Sequence, residues 1–543
     1  MINANIALRL KDWSEKTPHS VAVNHPVKKD GKFLYDSYTF SELEQRANNI
    51  AHFFKSYGIT KNSKVLTFVK PTKDFSAIVF ALFKLGATPI FIDPGMGKKN
   101  LLQAIEQISP EFMVAEPIVH LISFLYSKKF KSIKVSFNIG SLEFGKIKSL
   151  KNIQENETSI LEKLKPEDQA AILFTSGGTD IPKGVEYTHS IFNAQTDILK
   201  RMFQLTPQDI DMPGFPLFSL FTIAMGMKSS IPFMNPSKPA SANPKDLVQN
   251  IKDQKATFVA GSPAIWVSVA DYCLENSITL DTVKYLVMFG APVNIELHKK
   301  FAKVLTNGTT YTPYGATECL PVSNTSGREI LSMFNDNFQT KGTFIGKTID
   351  ENSLKIIATT DKALSWDEIE ELPINTIGEI IVHGPTTTKQ YVGMEMKTKE
   401  AKIQDTGMRT WHRMGDLGFI DENGNLWFCG RKSHRIKTEN NNFKSSIPNE
   451  LPYQQVSGVN KVAIIPNPNN VNKAAVVVER NQKVKNSTLK NDLILVTKKI
   501  QQDDFITEFY ECKKLPVDIR HNIKIDRLKL SQLAINNKLK VLR

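Results

Sequence analysis

The stretch FTSGGTDIPKGVEYTH, from Phe174 to His189, holds the residue types best suited to chemistry in this chain. An apolar run ends there. Between Thr175 and Ile181 three hydroxyls (Thr175, Ser176, Thr179) and two glycines (Gly177, Gly178) precede Pro182, Lys183 and Gly184. Backbone N–H groups and hydroxyls in such a loop can donate to phosphate oxygens, and the lysine supplies the countercharge. It is not a Walker A loop, which needs GxxxxGK followed by Ser or Thr; here Pro182 stands directly before the lysine. An isolated cluster of this composition is more often a surface turn, so its meaning depends on the elements around it.

Those elements alternate. TFSELEQRANNIAHFFKSYG, KVLTFVK, DFSAIVFALFKLG and TPIFID read as helix, strand, helix, strand, the signature of βαβ units and a largely parallel sheet. The rhythm returns in QAAILFTSGG, ATFVAGSP and VKYLVMFGAPV, apolar strands that end in Gly, Ser or Pro where α/β folds carry ligand loops. From Gly378 the pattern changes to short antiparallel strands, GEIIVHGP and FIDENGNLWFCGRK, with an Asn-Gly-type turn. A Lys- and Asn-rich stretch then precedes VAIIP and AAVVVER, which suggests a small C-terminal domain starting near Lys432. The expected architecture is therefore α/β: a large N-terminal domain, 1–431, of layered αβ sheets with a small β-barrel-like part, and a small mobile α+β domain, 432–543. No internal repeat of roughly 20 to 50 residues is evident.

Composition limits the alternatives. A chain of 543 residues, 41% hydrophobic and 9% aromatic, can bury a large core, which excludes disordered and fibrous classes. Lys and Arg outnumber Asp and Glu by 69 to 55, giving +14. That bias favours anionic partners, but the basic residues are scattered, and no basic and aromatic module points to nucleic acid. Cys273, Cys319, Cys429 and Cys512 form no CxxC pair, against a zinc site or disulfide framework and in favour of a reducing cytoplasm. The opening MINANIALRLKDWSEK lacks a signal peptide's apolar stretch. Ser76 to Ile92 is interrupted by Lys84, and Phe215 to Met227 is too short for a span of about 20 residues. No transmembrane helix is expected, although peripheral membrane contact stays open.

With these motifs in order the sequence resembles the adenylate-forming enzymes, which include acyl-CoA synthetases, luciferases and peptide-synthetase adenylation domains. TSGGTDIPKG is followed by FPLF at Phe215, GAPV at Gly290, YGATE at Tyr314, GEIIVHGP at Gly378, WHRMGDLG at Trp411 and LWFCGRK at Leu426, so the resemblance spans nearly the whole chain. It implies that ATP activates a carboxylic acid as acyl-AMP and that pyrophosphate leaves. It also implies a role for each matching residue. Thr175, Ser176, Gly177, Thr179 and Lys183 would surround the β and γ phosphates, and Glu318 would help to hold Mg²⁺. Gly290, Ala291 and Pro292 would form the adenine slot with Tyr314 stacking, and Gly315 and Thr317 of the same YGATE would also contact the nucleotide. Asp416 would accept from the ribose hydroxyls with Arg431 nearby. Lys524 in HNIKI would be the catalytic lysine of a rotating C-terminal domain, with Lys529 the runner-up and the hinge at Lys432.

Within the family the sequence looks most like the β-lactone synthetases of the bacterial long-chain olefin pathway, on DPGMGKKN, GFPLFSLF, YGATECLPVSNTSGREIL, HRMGDLGFIDENGNLWFCGRKSHR and PVDIRHNIKI. That subgroup implies a 2-alkyl-3-hydroxy fatty acid whose own hydroxyl closes the lactone, with other enzymes of a fatty-acid-derived pathway as possible partners. Phe215, Phe218, Phe221 and Met225 to Met227 would line the alkyl pocket, although such a run is by itself more often core. The loop departs from the family pattern at Gly178 and at Asp180, whose charge should repel polyphosphate. His434 and Asn440 replace the Asp and Gly that CoA ligases usually keep, so CoA is possible but disfavoured. A ligase to CoA or to a carrier protein, and a weakly active nucleotide-binding homologue, are the alternatives.

Overall fold

A computed structural model describes residues 3–151, 153–175, 181–333, 341–439, 442–481, 484–517 and 525–542, with the side chain of Thr175 left out. Two seven-stranded sheets dominate. In the first, strand order is Ile147–Ser149, Val135–Asn138, Phe112–Ala115, Lys64–Phe68, Thr88–Ile92, Gln169–Thr175 and Lys183–Thr188, all parallel but for the last pair. The second runs Thr309–Tyr311, Tyr285–Met288, Phe258–Gly261, Ile210–Pro213, Lys228–Ser230, Val21–Lys29 and Lys32–Thr39, again parallel except at its closing hairpin. The βαβ alternation is thus confirmed, and carboxyl ends of strands in both sheets lead into one cavity.

The largest hydrophobic cluster draws on both sheets, from Val23, Phe258 and Val287 to Val65, Phe112 and Val185. Helix Lys73–Lys84 is buried at every residue from Phe75 to Lys84, which explains its all-round apolar sequence. The lysine that interrupts it is wholly buried and paired with Glu44 at 2.5 Å. Burial lowers the Lys84 pKa and Glu44 opposes that shift. Losing one partner of such a pair costs about 3–5 kcal/mol. Thr39 and Glu42 form a capping box on helix Phe40–Ser56, so its start was legible in the sequence.

The antiparallel region that the sequence indicated from Gly378 begins earlier, since Tyr314–Ala316 and Cys319–Asn324, and then Ser353–Ile357 and Gly378–His383, already pair antiparallel. Thr410–Ile420 lies between Gly378–His383 and Leu426–Arg431, with Ser353–Ile357, Thr343–Phe344 and Lys402–Gln404 at the margins. The tight turn from Asp421 to Asn425 uses Gly424 at φ 74°, a left-handed conformation that glycine adopts without strain. A separate four-stranded sheet holds Val459–Asn467, Asn470–Arg480, Ile506–Glu511 and Lys540–Val541. Successive residues of its strands enter different clusters. Val462, Ile464, Val476 and Val478 pack with Leu489 and Leu493 of helix Asn486–Lys499. Ala463, Ile465, Ala475 and Val477 pack with Leu530 and Ala534 of helix Arg527–Ile535. Both faces are covered, so these strands read as continuous apolar runs. Among the described residues no helix is long and apolar enough to cross a membrane, and all four cysteines are buried with free thiols.

Candidate active site

The antiparallel pair Gln169–Thr175 and Lys183–Thr188 puts Thr175 opposite Lys183 and Phe174 opposite Gly184. The Gly184 α-carbon faces Phe174 and Ile172 so closely that a Cβ would sit 3.0 Å from the Phe174 ring. A larger residue directly after the lysine would have to push that ring aside by a few tenths of an ångström. Lys183 lines a cavity of about 2500 Å³ together with Gly290, Ala291, Pro292, Tyr314, Gly315, Thr317, Glu318, Asp416 and Arg431, and with Phe215, Phe218 and Phe221. Lys183 and Arg431, 248 positions apart, therefore border one space. Ser176, Gly177, Gly178, Thr179, Asp180, Asn440 and Lys524 lie outside the described residues. Thr175 closes its strand, and its side chain lies outside the described residues. Ile525, Asp526, Arg527 and Leu528 do border the cavity, whereas Lys529 donates its backbone N–H to Asp526 as part of a helix start.

Two polar groups stand out. In the first, Asp416 and Arg431 are cross-strand neighbours. One carboxylate oxygen accepts from Arg431 at 2.9 Å and the other from the Tyr314 hydroxyl at 2.7 Å. Burial and the adjacent Asp416 charge hold the Tyr314 hydroxyl well above its ordinary pKa, so it remains a donor. In the second, the Glu318 carboxylate accepts from the Tyr391 hydroxyl at 2.7 Å, and the same ring carries the Lys183 ammonium 5.1 Å from its centroid. Burial, then Glu318, raises the Tyr391 pKa. The backbone of Glu318 is fixed as well. Its carbonyl accepts from the Thr388 N–H at 2.9 Å and hydroxyl at 3.1 Å, and the preceding Thr317 carbonyl accepts from the Tyr187 hydroxyl at 2.6 Å.

Behind Glu318 lies a buried lysine, Lys402, which donates to the Thr388 hydroxyl at 3.0 Å. Burial brings its pKa down to about 8, against the pull of Glu318. His412, buried and lining the cavity, has Nδ1 3.1 Å from the Ala401 carbonyl. A carbonyl can only accept, so Nδ1 carries the proton and Nε2 keeps a lone pair. Burial foremost, then Lys402, Lys183 and Arg431, holds this imidazole neutral. His434 also borders the cavity, pushed down to about 4 by burial and by Arg527 and Arg431. Beside it Lys432 is tied to buried Glu379 at 2.8 Å, and the other Glu379 oxygen takes Arg413 at 2.6 Å.

The rest of the cavity is apolar. Phe218 lies 5.9 Å from Phe215, 5.8 Å from Phe221 and 4.8 Å from Phe289 between ring centroids, and Phe221 stacks on Phe192 at 5.3 Å. Phe221 belongs to the main core and Phe218 packs on it, while both also border the cavity. Met225 lines the cavity, but Met227 does not. It is fully buried beyond Gly226, whose backbone turns at φ 84° against the Trp13 ring and leads the chain away from the cavity.

Tyr391, Lys402 and the proton-accepting nitrogen of His412 were not singled out by sequence. A lone Tyr or Lys has no motif of its own. Tyr391 reaches the site through an isolated bridge to Val185, which no local pattern announces.

A cavity that joins a lysine-terminated hairpin loop, a carboxylate beside a tyrosine and an Asp–Arg–Tyr group to an aromatic arm suits activation of an apolar acid by a nucleotide. The chain belongs to the AMP-binding, adenylate-forming enzymes: the family model "AMP-binding enzyme" matches residues 10–392. It is 33% identical to the olefin β-lactone synthetase of Xanthomonas campestris pv. campestris, with 97% of each chain covered, and 33% identical to that of Stenotrophomonas maltophilia, with 98% of each covered. Its fold matches the amide bond synthetase McbA from Marinactinospora thermotolerans at TM-score 0.79 and 20% identity, covering 97% of this chain and 99% of that one. ATP-bound MatB from Rhodopseudomonas palustris matches at TM-score 0.79 and 19% identity, covering 99% and 100%.

Proposed function

We propose that this protein uses ATP to activate a fatty 2-alkyl-3-hydroxy acid and then closes it to a β-lactone. One observation carries the reading: the cavity joins Lys183, Glu318, Asp416 and Arg431 to an arm walled by Phe215, Phe218 and Phe221. Near full-length identity to two olefin β-lactone synthetases supports it.

In the first step a substrate carboxylate oxygen bonds to the α-phosphorus of ATP and pyrophosphate leaves. Lys183, with Thr175, Ser176, Gly177 and Thr179, would meet the β and γ phosphates, where negative charge accumulates. Gly290, Ala291 and Pro292 would border adenine, with Tyr314 against its face and Gly315 and Thr317 beside it. Asp416, already held by Tyr314 and Arg431, would take the ribose hydroxyls. Glu318 fits a magnesium site. One of its oxygens is occupied by Tyr391 while the other has no partner among the described residues, and Mg²⁺ is commonly held by one or two carboxylates plus substrate phosphates. When bound, the ion would neutralise phosphate charge. Lys524 would approach from a C-terminal domain, 432–543, that turns about Lys432; the Lys432–Glu379 pair would have to stretch or re-form as it moves.

In the second step the substrate's 3-hydroxyl oxygen bonds to the activated carbonyl carbon and AMP leaves. His412 would take the hydroxyl proton at Nε2. Holding the hydroxyl beside the carbonyl makes the closure intramolecular, so neither CoA nor a carrier protein is required, and His434 in place of an acidic residue agrees with that. Mass spectrometry of products from ATP, Mg²⁺ and a synthetic 2-alkyl-3-hydroxy acid, with and without CoA, tests the proposal. A lactone formed without CoA is expected. A thioester formed only with CoA would assign a ligase instead, and an absence of AMP release with a panel of fatty acids would assign a nucleotide-binding homologue without turnover.

A further inference from the structure

Helix Pro117–Leu125, PIVHLISFL, is inverted relative to water. Ile118, Leu121, Phe124 and Leu125 are 60%, 56%, 81% and 68% exposed and Ile122 is exposed too, while His120 is buried at 4%. The positions 118, 121, 122 and 125 follow the spacing of a single helical stripe, so the apolar stripe points outward. A neighbouring loop extends it. Ala115, just before the helix, pairs with Asn138, and the loop that follows Asn138 presents Leu142 and Phe144, the latter 79% exposed. Gly140 in this loop abuts Pro117, where a Cβ would lie 3.6 Å from the proline ring. Exposed apolar residues on a helix and on the loop that abuts its first residue mark a binding face.

Its margin is cationic. Between 117 and 146 the sequence has five lysines (128, 129, 131, 134 and 146) and one acidic residue, Glu143. Lys129 and Lys134 are paired with Glu106 and Glu111, and Glu143 with Lys148. Lys128 and Lys131 are exposed and form no ion pair among the described residues. Lys98 lies over the Tyr126 ring at 4.4 Å at the end of the helix. The first turn reaches the cavity, whose lining includes Glu116 and Val119 and the neighbouring Lys70.

We propose that helix Pro117–Leu125 and the Leu142–Phe144 loop rest on an anionic phospholipid surface, with the cavity margin against the lipid. At nine residues the helix is about 14 Å long, too short to span, and an apolar stripe with a lysine margin is the pattern of a helix lying in the interface. Net charge of +14 acts in the same direction. A second copy fits less well, since its lysine margin would face this one with like charge. The idea deepens the proposed function, on which it rests for one point: a fatty acid dissolved in lipid would then enter beside Val119 without crossing water.

The test is co-sedimentation of the full chain with vesicles of phosphatidylcholine alone and of phosphatidylcholine mixed with phosphatidylglycerol, without ATP or acid. Binding to the mixed vesicles is expected, weakened by salt, about tenfold weaker for Phe124→Asp and about fivefold weaker per charge for Lys128→Glu and Lys131→Glu. All three positions are exposed, and an unchanged melting temperature verifies folding. No binding to mixed vesicles, equal binding to uncharged ones, or unaltered binding of Phe124→Asp overturns the proposal. So does a dimer in light scattering that Phe124→Asp converts to monomer. Because binding is read without turnover, a failed lactone assay leaves this result standing, and the reverse holds as well.

Discussion

Replacing Tyr391 by phenylalanine removes one oxygen and, with it, the hydrogen bond that orients Glu318. The hydroxyl donates to the carboxylate at 2.7 Å, while the ring packs in the main core and carries Lys183 5.1 Å from its centroid. A hydrogen bond to a charged group contributes about 1.5–3 kcal/mol. Glu318 is only half-buried and open to the cavity, so water can partly replace the lost donor and the lower end applies, roughly tenfold in an equilibrium. Leucine at the same position would also remove the ring beneath Lys183, a further about 0.5–1 kcal/mol, or two- to fivefold. The assay is ATP–pyrophosphate exchange across a magnesium titration. For Tyr391→Phe the half-saturating magnesium concentration should rise about tenfold with the KM for the acid unchanged. Tyr391→Leu should additionally raise the KM for ATP. A magnesium dependence in the phenylalanine variant equal to that of the unaltered protein would show that Tyr391 does not orient Glu318, and a leucine variant no worse than phenylalanine would show that its ring does not support Lys183.

Three further outcomes follow from the same structure. His412→Gln should preserve pyrophosphate exchange but slow lactone release by about 10²–10⁴-fold, the usual contribution of a general base, so that acyl-AMP or free acid accumulates in mass spectra; unchanged lactone release would remove His412 from the mechanism. Asp211 is buried, with one oxygen held by Thr222 at 2.8 Å and the other without a partner among the described residues, and burial pushes its pKa up to about 7. Its folded pKa exceeds the unfolded value, so its contribution to stability is complete below about pH 4 and is lost as pH rises to about 7, by at most about 1.4 kcal/mol per pH unit. Urea midpoints for Asp211→Asn should lose that slope, and an identical pH dependence in both proteins would contradict it. Asp180 lies outside the described residues, and its charge next to the lysine loop should oppose polyphosphate by on the order of 1 kcal/mol; Asp180→Gly should lower the ATP KM about fivefold, and an unchanged or higher KM would discard the electrostatic account.

Local chemistry is what the sequence alone determined. The apolar runs that lead into FTSGG, VAGSP and MFGAPV were legible as strands, because alternation of periods and breaker residues is a property of neighbouring positions. The helix that ends at Lys84 and the antiparallel turn at Gly424 were legible for the same reason. Convergence was decided only in three dimensions. That Lys183, Glu318 and Tyr391 meet depends on strand Lys183–Thr188 bridging the segment around Tyr391, a pairing between positions with no shared local signal. Nor can a list of apolar residues say which side of helix Pro117–Leu125 turns outward, or that the chain at Gly226 leads Met227 into the core while Met225 stays at the cavity. Burial and the nearness of charges set the protonation of His412 and Lys402, and both are consequences of packing between segments far apart in the chain.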